Sequence, residues 1–206
     1  MIRLWPLAVA ASLLALAGCQ QQADDSDRPA TSREFPRAHR PVSPGGDNAV
    51  ATEVQRDSVN EAATIMDLAQ IGQGMTVADI GAGQGYYTVR LASRVGRNGR
   101  VLAQDIDAAA LQQLGQRVER ERLDNVSIKP GAEDDPRLPA NSFDRVFMVH
   151  MYHEVTEPYA FLWRMRPSLL QGYFAQFEAT GDRPEPASIK PCRLQGQGAR
   201  AVAAAR

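Results

Sequence analysis

The chain has 206 residues, of which 44% are hydrophobic and 23% charged, and its formal net charge is -1. That is the balance of an ordinary globular domain, and neither a basic surplus nor a basic run points to nucleic acid. Its two cysteines, Cys19 and Cys192, are too few for a disulfide framework and lack metal-site spacing.

Met1-Ile2-Arg3 is a short, weakly positive start, and the apolar run Leu4 to Ala17 follows. This run is too short to span a bilayer but suits the central region of a secretory signal. Leu16-Ala17-Gly18-Cys19 resembles the lipobox of bacterial lipoproteins. The resemblance implies that residues 1–18 are a removed signal peptide and that Cys19 is diacylated as the new N-terminus. Gln20 after it, rather than aspartate, implies an outer-membrane anchor facing the periplasm; if the signal were not used, the chain would stay cytoplasmic. Residues 19–48 are polar, with Pro29, Pro36, Pro41 and Pro44 spread through them. Such a segment buries too little apolar surface to offset its ordering entropy, so a flexible tether is expected, with His39 solvated.

A domain is expected over residues 49–181. Asp57-Ser58 can cap a helix running to about Gln70, with Val59, Ala62, Ile65, Met66 and Ala69 on one face. Val77 to Ile80 reads as a buried strand, and a helix from Tyr86 to about Val95 follows the glycines. Arg100 to Asp107 is a second strand. Ala108 to about Arg122 is helical, with Asp107 as its cap. Val126 to Lys129 is a third strand, Phe143 to His150 a fourth, and Pro158 to about Leu169 a helix. Strands alternating with helices mean an α/β, doubly wound, mostly parallel sheet.

In such sheets the ligand crevice lies beyond the carboxyl ends of the strands, and polar residues gather there. Gly81, Gly83 and Gly85 permit positive φ and close approach of a ligand to backbone. The third glycine comes one residue earlier than in Gly-x-Gly-x-x-Gly dinucleotide sites, which disfavours a nicotinamide cofactor. Asp79, two residues before the first glycine, would repel a pyrophosphate but could hold an ammonium group. Asp105 suits a grip on two ribose hydroxyls. Those traits describe a ligand with a ribose and an amino group and without phosphate.

The stretch from Val77 to Gly85 resembles motif I of the class I S-adenosylmethionine-dependent methyltransferases. Val101 to Asp107, Gly131-Ala132-Glu133-Asp134, and Leu138 to Asp144 with the strand after it resemble further motifs in order. The resemblance spans about residues 57 to 170. It implies a Rossmann-like methyltransferase fold with S-adenosyl-L-methionine bound by Asp79, Gly81, Ala82, Gly83, Gly85, Asp105, Ile106, Glu133 and Asp134. Transfer of the methyl group needs positioning and sometimes one general base. His150, Tyr152 and His153 are the candidates, and Asp144 is read as fixing the loop before the fourth strand. The expected function is transfer to a small-molecule acceptor, without metal or nucleic acid. The alternative is a non-catalytic lipoprotein that holds the cofactor or its demethylated product.

After Leu170 the family's pattern is interrupted. Gly172 to Thr180 reads as one alternating strand, preferred as the sheet's last strand with the segment before it missing. Residues 182–206 read as an irregular tail.

Overall fold

The computed structural model describes residues 25–43 and 52–170, together with the strands at 173–175, 191–193 and 200–202. The signal segment and Cys19 lie outside the described residues.

Four strands form one parallel sheet: β1 (Thr76–Ile80), β2 (Arg100–Asp105), β3 (Val126–Pro130) and β4 (Arg145–Phe147), in the order β3-β2-β1-β4. The first three strands step outward one way and β4 returns to the opposite side of β1. The order therefore reverses at β1, where open α/β sheets place their ligand crevice. β1 is central and nearly wholly buried, as its unbroken apolar run requires.

Both faces are covered. Helices α2 (Glu61–Leu68) and α3 (Tyr86–Val95) put Ile65, Met66, Leu91 and Val95 against Val77, Val101 and Phe147. On the other face, α5 (Pro158–Met165) puts Phe161 and Met165 against Ala78, Ile80, Val146 and Met148. Helix α4 (Ala108–Arg120) adds Leu114 beside Ala82 and Ala103. Its cap is Asp107, whose side chain accepts from the Ala109 and Ala110 amides as its position suggests. Asp144 fixes the loop before β4, as expected, by accepting from the Thr76 amide at 2.8 Å.

Four expectations need correction. The single helix from Asp57 is two: α1 (Glu53–Ser58) and α2, broken at Asn60, which is left-handed with φ 54°. Thr52 caps α1 in a reciprocal box with Gln55, while Asp57 accepts from Arg90 and Tyr86. β4 is shorter than expected, because Phe143 bridges Leu169 and does not pair with β1.

Residues 25–43 are not a free tether. They lie across the domain as a strap, joined to it by hydrogen bonds to residues more than a hundred positions away. Composition identifies the missing apolar surface but is blind to such specific polar partners.

The strand β5 (Tyr173–Ala175) lies near β4 but is the edge of a separate three-stranded sheet, and not the last strand of the first. It pairs with β7 (Arg200–Val202), which also pairs with β6 (Pro191–Arg193), so the stretch expected to be irregular contains two strands. Alternation reports a half-covered face, and the partner is chosen by chain segments remote in sequence.

Candidate functional site

The turn after β1 is built from left-handed glycines, with Gly81 at φ 68°, Gly83 at 53° and Gly85 at 92°. Two of them are also required by space. A Cβ on Gly81 would fall 2.9 Å from Met151, and one on Gly85 would fall 2.4 Å from Leu114. The early third glycine thus lets α4 pack onto the start of α3. Met151 lies directly on the first glycine, which brings the segment after β4 to the turn.

Asp79, one residue before the end of β1, lies among buried neighbours and is only 3% exposed. Its Oδ2 accepts from the Thr88 hydroxyl at 2.7 Å, and no basic side chain forms an ion pair with it among the described residues. Burial pushes its carboxyl up to about 7, opposed by the Thr88 hydrogen bond and assisted by the negative charge of Asp105. The Arg56 guanidinium acts on it only from beyond ion-pair distance, and a buried carboxyl so weakly compensated fits a ligand that brings a cation.

Asp105 ends β2 and ties the turn to that strand. Its Oδ2 accepts from the Gly83 amide at 2.8 Å and its Oδ1 from the Asp107 amide at 2.9 Å. Each oxygen retains acceptor capacity for a ribose hydroxyl. Ile106 is 59% exposed beside it, an apolar surface open to a flat ring. Ala82 is buried and donates its amide to the Gln104 carbonyl, holding the turn against β2.

The loop after β3 divides its two acids. Glu133 is exposed, whereas Asp134 is buried beneath the strap. The Asp134 Oδ2 accepts from Thr31 at 2.6 Å, Ser32 at 2.8 Å and Arg164 at 2.6 Å. Although burial acts to raise it, these bonds hold the carboxyl below its ordinary range. Asp134 is therefore a strap anchor, not the adenine contact that the family resemblance implied. Gly131 is pressed against Gln104, so that a Cβ there would fall 1.7 Å from the amide nitrogen.

The three candidates after β4 are separated. Tyr152 and His153 lie on a short 3-10 turn, where the strap holds their backbone. Arg40 donates to the carbonyls of Tyr152, His153 and Val155, and its guanidinium lies 4.8 Å from the centre of the Tyr152 ring. The His153 side chain is 43% exposed, and its Nε2 is 3.8 Å from Glu154. His150 is the more constrained, with φ 60° and Nε2 at 3.0 Å from Glu61 on α2.

Two features of this region escaped sequence reading. Glu61 was just another polar position on an amphipathic helix, and the strap was read as solvent-borne. The bidentate pair between Arg28 and Glu157, at 2.7 Å on both arms and buried, holds the strap to the start of α5. No local pattern links those residues.

Comparison with known proteins bears on the family and the fold. Residues 77–172 match the family model described as "Methyltransferase domain". The chain is 33% identical over 82 residues to nocamycin O-methyltransferase of Saccharothrix syringae, covering 40% of this chain and 29% of that protein. A solved S-adenosylmethionine-dependent methyltransferase from Aquifex aeolicus superposes with a TM-score of 0.52 at 25% identity, covering 59% of this chain and 69% of that one. The [4+2]-cyclase SpnF shares the fold, with a TM-score of 0.52 at 15% identity over 69% of this chain and 51% of its own.

Proposed function

We propose that this chain, whose residues 77–172 match a methyltransferase-domain model, is a class I S-adenosylmethionine-dependent methyltransferase that transfers a methyl group to a small-molecule acceptor. The observation that carries the reading is Asp79, a buried carboxylate without an ion pair among the described residues at the rim of a left-handed glycine turn. In this reading Asp79 binds the amino group of the cofactor, and the Gly81–Gly85 turn admits its amino-acid end against bare backbone. Asp105 takes the ribose hydroxyls, while Ile106 covers one face of the adenine. Glu133, exposed on the same rim, is the remaining polar group for the adenine edge.

S-adenosylmethionine, when bound, supplies a methyl group made electrophilic by a positively charged sulfur. The protein's part is to align the acceptor and exclude water, with one proton to remove if the acceptor is a hydroxyl. A relative named as an O-methyltransferase supports an oxygen acceptor. Tyr152, fixed beneath Arg40, would form part of the acceptor wall.

The same reading includes a lipid at Cys19 that anchors the chain to the outer membrane on its periplasmic side. Its support is the Leu16-Ala17-Gly18-Cys19 sequence. Replacing Cys19 by Ser should move the protein from the membrane to the soluble fraction; retention in the membrane would refute the anchor.

Isothermal titration tests the cofactor. Heat is expected with S-adenosylmethionine and S-adenosylhomocysteine and none with NAD. Asp105→Ala should weaken binding by at least tenfold, as loss of two charge-assisted hydrogen bonds predicts. Absence of heat with either sulfur ligand would refute the reading.

A further inference from the structure

A carboxylate with three donors meets a strained histidine at the end of β4. Glu61 Oε1 accepts from the Tyr87 hydroxyl at 2.6 Å, the Arg56 guanidinium at 2.8 Å and His150 Nε2 at 3.0 Å. These donors come from α3, α1 and the end of β4, and they are the charged or titratable groups facing Glu61. Burial acts to raise its pKa, but the bonds from His150, Arg56 and Tyr87 prevail and hold it at about 2. Glu61 is therefore ionised at every ordinary pH and acts as an acceptor alone.

That fixes the imidazole. Facing an obligate acceptor, Nε2 must carry the proton, so in the neutral ring Nδ1 keeps the lone pair. No described residue forms a hydrogen bond with Nδ1. His150 also adopts φ 60°, a conformation costly for a residue with a Cβ and typical of sites where structure serves function. Its neighbour Met151 lies against Gly81, the first residue of the cofactor turn. The residue next to His150 thus touches the turn, and the ring, held by Glu61, remains partly open, with 29% of its side chain exposed.

We propose that His150 is the general base of the transfer and that Glu61 is its positioning residue. Nδ1 takes the proton of an acceptor hydroxyl as the oxygen forms its bond to the methyl carbon and the carbon–sulfur bond breaks. The bonding pair stays on sulfur, and the imidazolium is stabilised through Nε2 by the Glu61 carboxylate. The proton then leaves to water. This inference rests on the methyltransferase reading, and the two fail separately in the test below.

Nitrogen-15 NMR of the full chain reads the tautomer and titration of His150 without any acceptor. Two complexes are compared: S-adenosylhomocysteine, and an analogue bearing an ammonium group where the methylsulfonium would be. The Nε2–H tautomer is expected in both. The His150 midpoint should be lower with the ammonium analogue by at least about half a pH unit, because a cation near Nδ1 disfavours the imidazolium. Glu61→Gln should disturb the tautomer while leaving the affinity for S-adenosylhomocysteine within about threefold, since Glu61 is not among the residues assigned to the cofactor. His150→Gln, whose amide can still donate to Glu61, should keep the fold and remove the imidazole signal that shifts, which assigns that signal to His150. An Nδ1–H tautomer, or equal midpoints in the two complexes, would overturn the assignment. Failure of both ligands to bind would instead overturn the methyltransferase reading.

Discussion

Replacing Arg28 by Met tests whether the strap is a structural part of the domain. The arginine side chain is 4% exposed and that of Glu157 is 7% exposed, and the two share both arms of a bidentate pair. The same guanidinium also donates to the carbonyls of Ser32 and Phe35, folding the strap on itself. Removing one partner of such a pair leaves a buried charge uncompensated, at a cost of about 3–5 kcal/mol. Two hydrogen bonds to carbonyls add about 1 kcal/mol each. The loss has a ceiling, because the strap can detach and return Glu157 to water, so the cost cannot exceed the free energy of docking residues 25–43. Urea unfolding of the full chain should therefore show a destabilisation of about 3 kcal/mol or more, a large share of a normal domain's stability. Limited proteolysis should cut first within residues 25–43. Pairing Arg28→Met with Glu157→Met should restore most of the loss, since the orphan charge is then gone. A loss below about 1 kcal/mol, with the strap still protected, would refute the reasoning.

Three further outcomes follow from the site. Burial raises the Asp79 carboxyl to about 7, so between its ordinary value near 3.8 and that point the folded chain holds a proton that the unfolded chain has lost. Stability of the ligand-free protein should fall as pH rises through this window. A bound ammonium would favour the carboxylate, so cofactor binding at about pH 6.5 should release a proton, read as a dependence of binding heat on buffer ionisation enthalpy. Buffer-independent heat, or the same dependence in Asp79→Asn, would contradict it. Gly85→Ala should destabilise by roughly 1–3 kcal/mol in thermal unfolding, because φ is 92° and the new methyl would meet Leu114. An unchanged melting point would mean that α4 yields freely.

The core of the fold was legible because its signals are local. The apolar run of β1, the glycines after it and the amphipathic α3 sit within twenty residues, and each fixes backbone geometry where it stands. Register followed for the same reason: Asp79 and Asp105 lie near the carboxyl ends of adjacent strands, and Asp105 takes the Gly83 amide of the turn. The kind of ligand could be argued from charge and glycine spacing before any coordinate was known.

What only the tertiary structure decided involves pairs far apart in the chain. Asp134 reads as a loop acid, yet its carboxylate belongs to Thr31 and Ser32. Sequence alone favours His153 slightly over His150, and the proposed choice of His150 rests on Glu61, 89 positions away. The strap's polar composition pointed to disorder, but its order comes from a few charged groups that meet buried partners. Composition measures how much apolar surface a segment offers. It carries no information on whether an arginine at 28 will find a glutamate at 157, because that meeting exists only after the sheet has brought β4 and α5 beneath it.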